Sequence, residues 1–337
     1  MAYIGIVFSI VGSLGLFLYG MKVMSDGIQQ NAGNRLQKFL NMMTGNRFTA
    51  VLTGLVVTAI IQSSSATTVM VVSFVNAGLL TLTQSIGVIM GANIGTTITA
   101  WIVSLVGFSM KISALAIPAI GIGFIMKTIR WKHKDIGDVL LGFGLLFLGL
   151  DFLTKSMPTL TPEMLSFITS FSNYGVGSML IGTVVGIVIT LIIHSSSAST
   201  AIILTMAFNG LLPYEMAAAM ILGANIGTTV DAALAAIGTK TAARRAALVH
   251  ILFNVIGTVL ALIFFNPLMW VVDLVTPGTL EGAGITTHLA MLHTVFNILN
   301  TLVFFPFVNP FARLVSFLIK DDDSETVHRA YKLDYKK

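Results

Sequence analysis

The sequence predicts an all-α polytopic membrane protein. It is expected to hold two inverted-topology repeats, each with three spanning helices and one re-entrant helical hairpin, plus a final spanning helix. Three observations lead there. The 337 residues are 55% hydrophobic and only 10% charged, with a mean hydropathy of +0.90; soluble domains carry nearer about 25% charge. Apolar runs long enough to cross a bilayer recur along the chain. The sequence also repeats itself: Gln62-Ser63-Ser64-Ser65-Ala66-Thr67-Thr68 returns as His194-Ser195-Ser196-Ser197-Ala198-Ser199-Thr200, and Gly91-Ala92-Asn93-Ile94-Gly95-Thr96-Thr97 returns as Gly223-Ala224-Asn225-Ile226-Gly227-Thr228-Thr229. One offset of 132 residues relates both pairs, and residues 60–97 match 192–229 at 18 of 38 positions without a gap. Small residues alone let membrane helices pack closely. Three consecutive hydroxyls followed by Asn-Ile-Gly-Thr-Thr, kept in register twice, point to a shared site instead.

Ala2 to about Gln29 reads as the first span, long and without a basic leader, so no cleavable signal peptide is expected. Residues 31–47, with Arg35, Lys38 and Arg47 among apolar side chains, read as an interfacial helix. Residues 48–76 are apolar but interrupted by the serines. Each half is roughly 21 Å of helix or less, short of a core about 30 Å thick, so a hairpin is expected over one continuous helix. Residues 84–107 span, with a helix break expected at Gly91 to Thr97, where glycines and Asn93 weaken the helix. Spans follow at 111–130 and 136–156, an interfacial segment at 159–175, and the second hairpin at 176–208. Further spans are expected at 213–237, 246–274 and 288–319. The chain thus divides into repeat 1 (1–132), repeat 2 (133–275), a last spanning helix (276–319) and a polar cytoplasmic tail (320–337).

Basic residues set the orientation. With the Lys127, Arg130, Lys132, Lys134 loop in the cytoplasm, Lys22, Arg35, Lys38, Arg47, Lys240, Arg244, Arg245, Arg313 and Lys320 fall on the same side, and only Lys111 and Lys155 fall outside. The N-terminus is then outside and the C-terminus inside. Three spans per repeat is an odd number, so the second repeat is inverted. The first hairpin enters from the cytoplasm, the second from outside, and their tips can meet near the midplane. The net charge of +5 therefore reports orientation and not nucleic acid. The absence of cysteine excludes disulfides, thiolate metal sites and cysteine nucleophiles.

A broken helix at membrane depth must line a cavity or touch protein. A half-helix starting at a tip aims free N–H groups and a positive dipole end at that cavity. Serines there cap and donate, which suits an oxyanion. Carbonyl, amide and hydroxyl oxygens suit a hard cation such as Na⁺. No Lys or Arg lies within 48–107 or 176–237, so a bound anion must take its countercharge from co-bound cations. Moving one charge against 100 mV costs about 2.3 kcal/mol, so a dianion alone costs roughly 4.6 and two Na⁺ cancel that.

The serine tips and the paired Gly-Ala-Asn-Ile-Gly-Thr-Thr motifs resemble the type II sodium/phosphate cotransporter family, over about residues 10–310. The resemblance implies Na⁺-coupled uptake of inorganic phosphate by alternating access, in a cell membrane, with sodium as co-transported ion and no organic cofactor. Carried over by position, it implies phosphate at Ser63, Ser64, Ser65, Ser195, Ser196, Ser197, Thr68 and Thr200, with Thr67 flanking. Sodium falls to Gln62, Asn93, Thr96, Thr97, His194, Asn225, Thr228 and Thr229. Phosphate, sodium and the lipid bilayer are the expected partners, with no nucleic acid, and a homo-oligomer stays open. Bacterial relatives often add a cytoplasmic helical domain resembling a phosphate-uptake regulator; none is expected in a chain that stops at Lys337. Export, another small oxyanion and an anion channel remain alternatives. No enzyme is expected, since no nucleophile–base–orienter constellation accompanies the serines.

Several residues depart from the family's pattern or stand apart from it. His194 stands where the repeat has Gln62, read as a structural hydrogen bond or a pH-tuning group. Asp231 aligns with Thr99. An acid inside a span suggests coupling as a cation ligand, or else it pairs with Arg244 and Arg245. His250/Asn254 and His293/Asn297, each one helical turn apart, are expected to make interhelical hydrogen bonds. Asp151 and Lys155 read as an ion pair.

Overall fold

The chain is described here by a computed structural model, which covers residues 2–32, 45–108, 112–129, 134–158 and 175–321, with residues 161, 163, 166 and 170. Most of the two expected interfacial segments, the 130–133 loop and the tail lie outside the described residues. Every regular element among the described residues is helical. The first half runs α1 (Ala2–Ala32), α2 (Arg47–Ile61), α3 (Ser64–Asn76), α4 (Leu82–Ile102, continued as a π-helical turn Val103–Phe108) and α5 (Ile112–Thr128). The second runs α6 (Lys134–Ser156), α7 (Val176–Ile193), α8 (Ser196–Phe208), α9 (Tyr214–Gly227), α10 (Thr229–Ala235), α11 (Thr241–Ile263) and α12 (Phe265–Val275). It is followed by α13 (Ala283–Phe304) and α14 (Val308–Leu318).

Local chemistry fixes several of these ends. Asn46 and Thr81 each start a helix through a reciprocal cap, with Thr49 and Gln84. Among the described residues, seven helices are long and apolar enough to cross a bilayer: Ile4–Asn31, Leu82–Phe108, Asp135–Ser156, Val176–Ile193, Tyr214–Ala235, Thr241–Ile263 and Ala283–Leu318. The set differs from the expected one. α5 is shorter than the 111–130 span, at 17 residues. α7, expected as half a hairpin, has 18 residues, about 27 Å of helix. The expected 246–274 span is two helices meeting at Phe264. Pro267 explains the break, because its ring displaces the bond to the carbonyl four residues back, at Ile263. Pro306 likewise turns the last span into a 3₁₀ step between α13 and α14.

The expected break at Gly91 to Thr97 is absent: α4 is continuous through it. The glycines serve contact instead. A methyl on Gly91 would strike the Val51 carbonyl of α2, and one on Gly54 would strike the Val88 carbonyl of α4. Gly186 and Gly223 repeat this between α7 and α9, against Met220 and Thr183. So the first limb of each serine turn lies with its backbone against the motif helix that follows. In the second copy the helix does pause, at Thr228 between α9 and α10. The two leading helices, α1 and α6, pack along each other through Gly20, Gly142 and Gly149. Large side chains such as Phe8, Ile117, Phe124, Ile192, Ile263, Trp270 and Phe317 face outward, as a lipid-facing surface requires. Beside the Phe264 kink, an apolar cleft of about 280 Å³ opens between α11, α12 and α13.

Candidate functional site

Both serine turns have the same backbone. Gln62 closes α2 in the left-handed region (φ 59°, ψ 25°), and Ser63 is extended (φ −147°, ψ 108°). His194 closes α7 at φ 55°, ψ 28°, and Ser195 follows at φ −151°, ψ 110°. These are the two non-glycine residues with positive φ among the described residues. Such a conformation costs energy in an L-residue and persists where surroundings over-determine it. Each turn feeds directly into a new helix. Ser63 caps α3 by accepting from the Ala66 N–H at 3.1 Å, and Ser195 caps α8 by accepting from Ala198 at 3.2 Å. Both hydroxyls keep their own protons to donate.

The two turns are tied to each other by a crossed pair of contacts. Asp231 takes Ser65 Oγ on its Oδ2 at 2.5 Å, and its Oδ1 lies 2.8 Å from His194 Nδ1. Thr99 occupies the equivalent place in the first half. Its hydroxyl donates to Gln62 Oε1 at 3.0 Å, and Ser197 Oγ donates to it at 3.4 Å. In each case one motif-helix residue holds the left-handed residue of its own half and the third serine of the other half. The duplication is therefore a duplication of contacts as well as of letters. It is unequal in charge: one junction is neutral, the other carries a carboxylate whose side chain is 16% exposed. Among the described residues Asp231 forms no ion pair with Arg244 or Arg245. Arg245 is engaged with Asp321 at 3.0 Å and with the Ile319 carbonyl, and Arg244 with Thr241.

The remaining predicted residues sort by which hydrogen-bonding capacity they keep. Thr68 donates to the Ser64 carbonyl, while Thr200 Oγ1 is buried without a protein partner. Thr67 accepts from Thr58; in the second half, where Ser199 stands in place of Thr67, Thr190 Oγ1 shows no such bond among the described residues. In the Gly-Ala-Asn-Ile-Gly-Thr-Thr motifs every hydroxyl, and one N–H of each asparagine amide, is spent on its own helix. Asn93 gives to Ile89, Thr96 to Ala92, Thr97 to Ile94, Asn225 to Ile221, Thr228 to Ala224 and Thr229 to Ile226. What these residues have left to offer is mainly lone pairs, with one amide N–H on each asparagine. The tips, by contrast, offer the first N–H groups of α3 and α8 and serine hydroxyls. Chemically, the tips suit an anion and the motif helices a cation.

The structure thus joins Gln62, Ser65, His194, Ser197 and Asp231. Among the described residues it shows no hydrogen bond from a motif amide or hydroxyl to a tip serine; Asn225 turns instead to His293 and Asn297 of α13. The cross-helix bonding expected of His293 and Asn297 is therefore present. His250 and Asn254 show none among the described residues, and Asn254 donates to the His250 carbonyl. Thr99 was not expected to bridge, although its alignment with Asp231 was the available signal. Asp151 and Lys155 form the expected ion pair at 2.7 Å.

The Na⁺/Pi-cotransporter family matches residues 16–155 and 164–275. The chain belongs to that family. It is therefore a multi-pass membrane protein of a family of phosphate transporters. YqeW of Bacillus subtilis (strain 168) is 31% identical over 276 residues, 81% of this chain and 87% of YqeW. YjbB of Salmonella typhimurium, named as an inorganic phosphate export protein, is 28% identical over 78% of this chain and 48% of its own length. The chain thus spans about half the length of that relative. Human sodium-dependent phosphate transport protein 2B is 33% identical over 147 residues, 37% of this chain and 21% of its own. No solved structure matches the chain.

Proposed function

We propose that this cotransporter-family protein is a sodium-coupled secondary active transporter that imports inorganic phosphate by alternating access. α2–α3 and α7–α8 act as re-entrant hairpins of two inverted repeats, the first entering from the cytoplasm and the second from outside. The N-terminus is then outside and the C-terminus cytoplasmic. Phosphate sits between the tips, on Ser63, Ser64, Ser65, Ser195, Ser196 and Ser197, with Thr68 and Thr200 behind them. Sodium takes the lone pairs of Gln62, His194, Asn93, Thr96, Thr97, Asn225, Thr228 and Thr229.

The observation that carries this is the crossed junction, which brings a carboxylate to the serines where an anion would bind. At about 5 Å and an effective dielectric near 20, two unit charges repel by about 3.3 kcal/mol, more than a hundredfold in affinity. Phosphate then binds well only when a cation has already neutralised Asp231. That order of binding is coupling. Radiolabelled phosphate uptake into proteoliposomes, with and without an inward Na⁺ gradient, tests it. Uptake should need the gradient, and Asp231→Asn should transport with a weakened Na⁺ dependence. Equal uptake in choline would sink the proposal. Export is the second reading, favoured by the name of the YjbB relatives. It predicts that phosphate-loaded vesicles empty faster than they fill under the same gradient.

A further inference from the structure

The described residues contain ten buried side-chain polar atoms without a protein partner. Seven belong to six residues of α11 and α13: both ring nitrogens of His250, Asn254 Oδ1, His293 Nδ1, Asn297 Oδ1, Asn300 Oδ1 and Thr301 Oγ1. None of the six residues is more than 5% exposed. The two helices face each other here, since Asn300 Nδ2 reaches the Phe253 carbonyl at 3.1 Å and the Phe253 and Phe304 rings stack edgewise. α9 closes the seam through Asn225, whose Oδ1 lies 3.2 Å from His293 Nε2 and 3.5 Å from Asn297 Nδ2.

Most of these orphans are acceptors. The amide nitrogens of Asn225, Asn254, Asn297 and Asn300 all donate to backbone carbonyls, of Ile221, His250, His293 and Phe253. A carbonyl must face the nitrogen of an amide, so the orientation of each is forced, and the oxygens of Asn254, Asn297 and Asn300 are left over. His293 Nε2 meets an amide oxygen and must carry the proton, which leaves Nδ1 as a bare lone pair. The seam therefore gathers unpartnered acceptors, three amide oxygens and the His293 Nδ1 lone pair. Leaving such groups unpaired costs about as much as losing a hydrogen bond at each. An anion only worsens the mismatch. A cation relieves it.

We propose that this seam is a cation site distinct from the serine tips, and that it takes a hard monovalent ion such as Na⁺. Its ligands are neutral amide and hydroxyl oxygens: Asn254, Asn297 and Thr301. Among the described residues no group of three or more His, Asp or Glu is placed to hold a metal, which argues against divalent and transition metals, whose sites favour carboxylates or several imidazoles. The first half has no copy of the seam. The 132-residue offset sets Pro118 and Ile122 opposite His250 and Asn254, and α13 lies outside the duplication. The site is thus single and belongs to the second half. It rests on the carrier reading only for the claim that its ion is a coupling ion; binding is tested without transport.

The experiment uses the whole protein in detergent, free of phosphate. Its unfolding temperature is followed against NaCl, with choline chloride holding ionic strength. The wild type should gain stability saturably with Na⁺. Asn254→Leu and Asn297→Leu should each raise the half-saturating Na⁺ concentration by about tenfold, the loss of one ligand oxygen. Folded variants that respond to Na⁺ as the wild type does would overturn the site and leave the seam to water. Should a leucine variant fail to fold, density maps of the wild type in Na⁺ and in the electron-dense Tl⁺ decide. A Tl⁺ peak among the seam oxygens supports the site; unchanged density there overturns it. If the protein carried no phosphate, the Na⁺ response would persist. If the seam held water alone, Na⁺-driven phosphate flux would persist while the leucine variants matched the wild type.

Discussion

Gly91→Ala tests whether the serine turn is placed by backbone contact between α2 and α4. The added methyl would lie 2.7 Å from the Val51 carbonyl carbon and 2.8 Å from the Leu55 nitrogen, with the Val51 oxygen nearer still. Ordinary carbon contacts begin near 3.4 Å, so the two helices must part by about 1 Å or more. Overpacking of this kind costs about 1–3 kcal/mol, and here the obstacle is helix backbone that cannot rotate away. Alanine's better helix propensity returns up to about 1 kcal/mol. The net loss is about 2 kcal/mol, which for a chain of this size lowers Tm by about 3 °C. Gly223→Ala, whose methyl would meet the Thr183 carbonyl, should behave alike. Gly121→Ala is the control: nothing lies within 4 Å of its methyl, so it should be neutral or slightly stabilising. Melting curves in detergent read all three. A Gly91→Ala protein that melts with the wild type would refute the close-contact reasoning.

Other variants probe the junction and the chain end. Thr99→Val keeps the shape but strips the donor from buried Gln62 Oε1, and should cost about 1–3 kcal/mol by melting temperature. His194→Gln should melt within about 0.5 kcal/mol of the wild type, because Gln62 already adopts that backbone conformation in the other half. His194→Val should cost about 2 kcal/mol, since it loses the Asp231 contact and places a branched residue at φ 55°. Arg245→Ala should cost no more than about 1 kcal/mol, because its partner Asp321 is 61% exposed.

The limits of the two helix–turn–helix stretches were legible because a run of serines interrupts an apolar helix. Residues 48–76 and 176–208 were expected, and the helix pairs run Arg47–Asn76 and Val176–Phe208. The role of Gly91 was not legible. A glycine that loosens a helix and one that admits a neighbour look alike in sequence, and only the position of the Val51 carbonyl separates them. Asp231 shows the same limit. Arg244 and Arg245 are closer to it along the chain, but its partners are His194 and Ser65, which only the meeting of two distant turns brings near. The kink at Phe264 was readable, since Pro267 dictates it. The donor economy of the asparagines was not, because it depends on which backbone carbonyls each amide reaches.

The central claim is that both serine turns line one pocket whose access alternates between the two sides of the membrane. The chain has no cysteine, so single cysteines at Ser65 and at Ser197 can be labelled on a clean background with a membrane-impermeant thiol reagent applied from either side. The account predicts that both positions react from the same side in a given condition, and that the reactive side switches for both when Na⁺ and phosphate are changed. Each turn reacting from one fixed side under every condition would contradict it.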